Sequence, residues 1–103
     1  MSIWGPPKGG EYELEYYDQS HPETSSPFEF KAPSLAEALK VAWRVRQGGG
    51  KPLRITRTVS GELSVVLSKD EIELACVRID VLDRPGNSLL VMAEQVIGEM
   101  GKE

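Results

Sequence analysis

The order of apolar and polar residues along the chain predicts two β-hairpins with a helix between them. In residues 11 to 16, glutamates alternate with apolar side chains, and the alternation resumes briefly in residues 28 to 31. A period of two is typical of a strand with one buried face. Residues 18 to 27 are polar and contain two prolines, so we expect a loop there that joins the strands of a loose first hairpin.

The sequence pattern for the second hairpin is stronger than that for the first. Residues 53 to 59 and 62 to 67 are alternating runs rich in β-branched side chains, and Ser60-Gly61 between them is a two-residue turn signal. If the first strand pairs with residues 53 to 59, Arg54 comes to lie opposite the acidic row of Glu11, Glu13 and Glu15. Each such cross-strand charge pair contributes at most about 1 kcal/mol to stability.

A helix is predicted over residues 34 to 47. Ser34 and Glu37 have the spacing of a capping box, in which each side chain bonds to the other residue's backbone N–H. At 100° per residue one face is apolar, comprising Leu35, Ala38, Leu39, Ala42 and Val45. Arg46 projects into this apolar arc, and Gly48-Gly49-Gly50 ends the helix.

The C-terminal third predicts one or two further helices. Ser68 and Glu71 repeat the capping pattern, and an apolar stripe runs through residues 69 to 83 at helical spacing. Residues 77 to 81 also alternate like a strand, which leaves a strand as the alternative for this segment. A turn with Pro85 and Gly86 follows, and a last helix begins at Ser88.

These elements predict an α+β fold: a small, mainly antiparallel sheet of two hairpins, packed with one central helix and one or two C-terminal helices in the order ββαββα(α). Residues 11 to 103 are expected to form a single domain. Residues 1 to 10 contain two prolines and three glycines and show no periodicity, so they are expected to form a flexible N-terminal tail.

Composition narrows the class of protein. Apolar residues make up 40% and charged residues 27%, which is typical of a globular chain. No apolar run approaches the roughly 18 residues of a membrane span, and the N-terminus lacks the apolar stretch of a secretory signal. The single cysteine, Cys76, cannot form an intramolecular disulfide. We therefore expect a cytoplasmic protein that makes no use of a membrane.

The net charge of -4 is unevenly distributed. Residues 31 to 57 contain seven basic side chains and one acidic side chain, Glu37. The candidate binding surface comprises Lys40, Arg44, Arg46, Lys51, Arg54 and Arg57. Such a surface can bind phosphates, which makes nucleic-acid binding the alternative function. The isoelectric point of about 5.0 argues against it, because nucleic-acid-binding domains tend to be strongly basic.

Arg46 differs from the other basic residues of this segment because it falls on the apolar side of the predicted helix. A guanidinium on the core side of a helix requires a carboxylate, helix-end carbonyls or a ligand. We expect a structural partner, either a carboxylate such as Glu29 or Asp80 or the carbonyls at the end of the helix.

The residue types used in catalysis are sparse. His21 is the only histidine, and its loop alone does not supply the three or four rigid ligands of a metal site. Cys76 has no neighbouring base in the sequence that could activate it. The glycines at residues 48 to 50 follow a helix and precede Lys51-Pro52, unlike a phosphate-binding loop, which precedes a helix. We predict no enzymatic activity, metal or cofactor.

The leading functional interpretation is a protein–protein interaction module. In residues 69 to 83, Leu74, Val77 and Val81 form a second apolar face in addition to the one that a core contact requires. The expected partner is another protein or a second copy of the chain. The apolar faces of the C-terminal helices and the edge of the sheet are the surfaces that would carry the contact.

Overall fold

The computed structural model describes residues 11–20 and 26–102, and within them it has the order ββαββαα. Its elements are β1 (Glu11–Tyr17), β2 (Phe28–Ala32), α1 (Leu35–Gln47), β3 (Lys51–Val59), β4 (Glu62–Leu67), α2 (Lys69–Leu82) and α3 (Leu89–Glu99). This arrangement confirms the predicted α+β fold, with two C-terminal helices. The tail predicted for residues 1–10 and the loop histidine His21 lie outside the described residues.

The four strands form one antiparallel sheet in the order β2-β1-β3-β4. The two hairpins therefore join through their first strands, and Leu14 of β1 lies between Phe30 of β2 and Ile55 of β3. β3 begins at Lys51, earlier than residue 53 where its alternation begins. A register shift between Glu15 and Tyr16 allows Tyr16 to lie opposite Pro52, a residue type that a sheet tolerates near the start of a strand.

The turn between β3 and β4 has the geometry that its two residues predict. Ser60 and Gly61 both have positive φ angles, 55° and 82°. Two consecutive residues with positive φ match a type I′ turn, whose twist suits a two-residue hairpin. Pairing of Thr58 with Leu63 and of Val59 with Glu62 follows directly from this turn.

One face of the sheet carries the helices. α1 and α2 both contact β3, and α3 packs across α1 and α2. The core side chains are buried between these layers, and the largest of those that are fully buried are Leu14, Leu35, Leu39, Ile55, Leu67, Ile72, Ile79 and Val96. Burial of this apolar surface is the main stabilising term of the fold.

Residues 69 to 82 form a helix, so the alternative of a strand there is wrong. The capping box decides the start of α2: the Ser68 hydroxyl accepts the Glu71 N–H at 3.3 Å, and the Glu71 carboxylate accepts the Ser68 N–H at 2.9 Å. Ile72, Ala75, Cys76 and Ile79 then share a buried face at helical spacing. The alternation at residues 77 to 81 arises because Val77 and Val81 belong to the outward face.

α1 has only half of the predicted capping box. The Ser34 hydroxyl accepts the Glu37 N–H at 3.2 Å, whereas the Glu37 carboxylate forms an ion pair with Lys40 at 3.1 Å. At its other end α1 stops at the glycines, as predicted. A Cβ atom at Gly50 would lie 2.5 Å from the carbonyl oxygen of Tyr17 and 2.7 Å from Val45 Cγ1, so no larger residue fits there.

Candidate interaction surface

The outward face of α2 carries an apolar stripe that nothing in the described chain covers. Leu74, Val77 and Val81, called the outer stripe below, have 63%, 45% and 56% of their surface exposed. At 100° per residue the three fall within an arc of about 60°. The opposite face of the same helix is fully buried. α2 therefore has two apolar faces, as the sequence predicts, and the fold uses one of them.

Charged residues of both signs stand beyond each end of the outer stripe: Lys69 and Asp70 before it, and Asp83 and Arg84 after it. Asp70 lies in the first turn of α2 and continues the same helical face, whereas Arg84 follows two residues after the last helical residue, Leu82. Both are exposed, and neither forms an ion pair with any residue that the structure describes. Asp70, Leu74, Val77 and Val81 are spaced by four, three and four residues, the interval at which one face of a helix repeats. The chain leaves the helical conformation at Asp83, before it reaches Arg84.

The charged residues on the flanks of the stripe are paired within the chain. On one flank, Glu73 and Asp80 both accept hydrogen bonds from Arg46 of α1. On the other flank, Arg78 Nη2 lies 3.0 Å from Glu99 Oε1 of α3. These pairs hold α2 to both neighbouring helices and leave the apolar outer stripe exposed between them.

Arg46 sits at the centre of the link between α1 and α2. Its guanidinium donates to both carboxylate oxygens of Glu73, at 3.0 Å from Nε and 2.7 Å from Nη2, and its Nη1 lies 3.5 Å from Asp80 Oδ2. These hydrogen bonds lower the pKa of Glu73, and the Glu73 carboxylate raises the pKa of Arg46. Trp43 Nε1 and Gln47 Nε2 also donate to Asp80, at 2.9 Å and 3.2 Å.

The expectation for Arg46 is thus confirmed for one of its carboxylates. Asp80 accepts a hydrogen bond from Arg46, as expected, whereas Glu29 and the carbonyls at the end of α1 do not. The shortest contact of Arg46 is with Glu73, which the sequence pattern of α1 alone does not predict. Glu73 and Asp80 are seven residues apart, so a helical reading of α2 places them on one face. That spacing could have indicated that Glu73 is a second partner of Arg46 beside Asp80.

In the structure, the six basic residues of the candidate binding surface lie on different parts of the protein. Arg54 pairs with Glu15, its Nη2 lying 2.6 Å from Glu15 Oε1, which confirms the predicted cross-strand contact. Arg57 lies on the other face of the sheet, 5.1 Å above the ring of Tyr12. Lys40 and Arg44 are on α1, where Lys40 is paired and Arg44 is exposed. These side chains do not form one continuous cationic surface.

Arg46 and Lys51 are the two that come together, at a cleft of about 300 Å³ between α1, β3 and α2. Its lining comprises Arg46, Gly50, Lys51, Pro52, Lys69, Asp70, Ile72 and Glu73. Three cationic side chains thus face two carboxylates, and the guanidinium of Arg46 is already occupied by Glu73. This near balance of charge gives little preference for an anion.

The residues with catalytic chemistry are poorly placed for it. Cys76 is fully buried, and desolvation raises the pKa of its thiol to about 11, so it stays protonated at neutral pH. No group of three or more His, Cys, Asp or Glu side chains in residues 11–20 and 26–102 could hold a metal ion. None of the helices described has the length and apolar character that crossing a membrane requires.

A second, smaller apolar patch lies on the sheet face without helices. Leu63 and Val65 of β4 are 63% and 57% exposed there. The neighbouring part of this sheet face carries charged residues, including Glu13 of β1. Partial burial of Glu13 and the nearby carboxylate of Glu29 raise the pKa of Glu13. β4 has a register shift against β3 at its C-terminal end, between the pairs Ile55–Leu67 and Thr56–Val65. Such an irregularity makes an edge strand a poorer template for a further strand.

The chain was compared with models of known protein families, with curated proteins and with solved structures, and no match was found.

Proposed function

We propose that this protein is a non-enzymatic interaction module that binds a protein partner through the outer stripe of α2. The observation that carries the proposal is the exposure of Leu74, Val77 and Val81 on a helix whose other face is completely buried. Burying exposed apolar surface stabilises a complex by roughly 25 cal/mol per Å². A row of three such side chains gives a partner a continuous strip to cover.

The comparison with α1 supports this interpretation. Surface helices normally present polar side chains to water, and α1 does so with Lys40, Arg44 and Gln47. α2 has apolar residues at the corresponding outward positions. Scattered exposed apolar residues are ordinary on protein surfaces, whereas a contiguous patch marks an interaction surface.

The stripe is also held rigidly. The capping box fixes the first turn of α2, Lys102 Nζ lies 3.0 Å from Glu71 Oε2, and the contacts of Arg46 and Arg78 secure both flanks. A surface that is already ordered loses little conformational entropy when a partner binds. This preorganisation favours recognition through the helix face as it stands.

Nucleic-acid binding stays a prediction with weaker support. Its candidate residues are divided between two faces of the sheet and the surface of α1, and Lys40, Arg46 and Arg54 already pair with carboxylates. The cytoplasmic location expected from the sequence also stays a prediction.

Photocrosslinking in the cells of origin tests the proposed function. A photoreactive phenylalanine replaces Val77 in one variant and Arg44, exposed on α1, in the control. We expect a discrete protein adduct from position 77, none from position 44, and loss of the adduct when Leu74→Lys is added. The absence of any adduct from position 77, or equal adducts from both positions, would contradict the proposal.

A further inference from the structure

We draw no further inference here: the strongest candidate, the outer stripe on the outward face of α2, is an exposed apolar surface with charges of both signs at each end, and nothing in the structure shows which partner covers it.

Discussion

The helices α1 and α2 pack side by side on the same sheet, but their outward faces differ in polarity. Both begin at a serine cap and both bury an apolar face against the core. α1 presents polar side chains such as Arg44 to water, whereas α2 presents the outer stripe. The buried apolar faces explain why both helices pack against the sheet. The two helices differ in their outward faces, because only α2 exposes a row of apolar side chains to which a partner could bind.

The largest expected effect contrasts one leucine on each helix. Leu39 of α1 is fully buried, and Leu39→Ala should lower the free energy of unfolding by about 2–5 kcal/mol through lost burial and a cavity. Leu74 of α2 is 63% exposed, and Leu74→Ala should change the stability of the monomer by less than about 0.5 kcal/mol. Urea denaturation of dilute protein measures both values.

Protein concentration sharpens this contrast. If α2 is covered by a second copy, the cost of Leu74→Ala should grow as the concentration rises through the dissociation constant, because association stabilises the folded state. The cost of Leu39→Ala should not depend on concentration in the same way. A large cost of Leu74→Ala in dilute protein would mean that the two helices do not differ as described.

A smaller effect is expected at the first turns of the two helices. Glu71→Ala removes the hydrogen bond that closes the capping box of α2 and the ion pair with Lys102, and should cost about 1 kcal/mol. Glu37→Ala removes only the ion pair with Lys40 and should cost about 0.2–0.5 kcal/mol. Thermal unfolding of the two variants compares them directly, and equal costs would show that the second half of the box adds nothing.

A further small effect is expected at the ion pair that links α1 to α2. Because Arg46 lowers the pKa of Glu73 below its ordinary value of 4.5, the ionised pair stabilises the fold at neutral pH, and this contribution is lost as the pH falls through the lowered pKa. Glu73→Gln should cost less than about 1 kcal/mol at pH 7 for a largely exposed pair. It should also make stability fall less steeply below pH 4.5, measured by denaturation at each pH. An unchanged acid profile would contradict this role for the pair.

Local patterns were sufficient to predict most of the fold. Alternation and turn chemistry predicted the hairpin about Ser60-Gly61, and serine caps with helical spacing predicted α1 and the start of α2. The ambiguity at residues 77 to 81 had a physical cause: two apolar faces on one helix produce runs that also fit a strand. That ambiguity and the exposed stripe are therefore the same feature of the sequence.

The remaining features depend on tertiary packing. The choice of Glu73 as the main partner of Arg46 requires the crossing of α1 and α2, which no local pattern gives. The basic residues are close in sequence, but alternation along β3 directs Arg54 and Arg57 to opposite faces of the sheet. Proximity in the chain therefore suggested a single surface that the strand geometry divides.

The burial of Cys76 has a practical consequence for following the protein's motions. Its sulfur is enclosed by the core that α2 shares with the sheet and α3, and its thiol is protonated at neutral pH. A thiol reagent can modify it only when that core opens, locally or completely. The rate of labelling at this one atom thus reports the opening of the α2 region, in the unmodified chain and without an introduced probe.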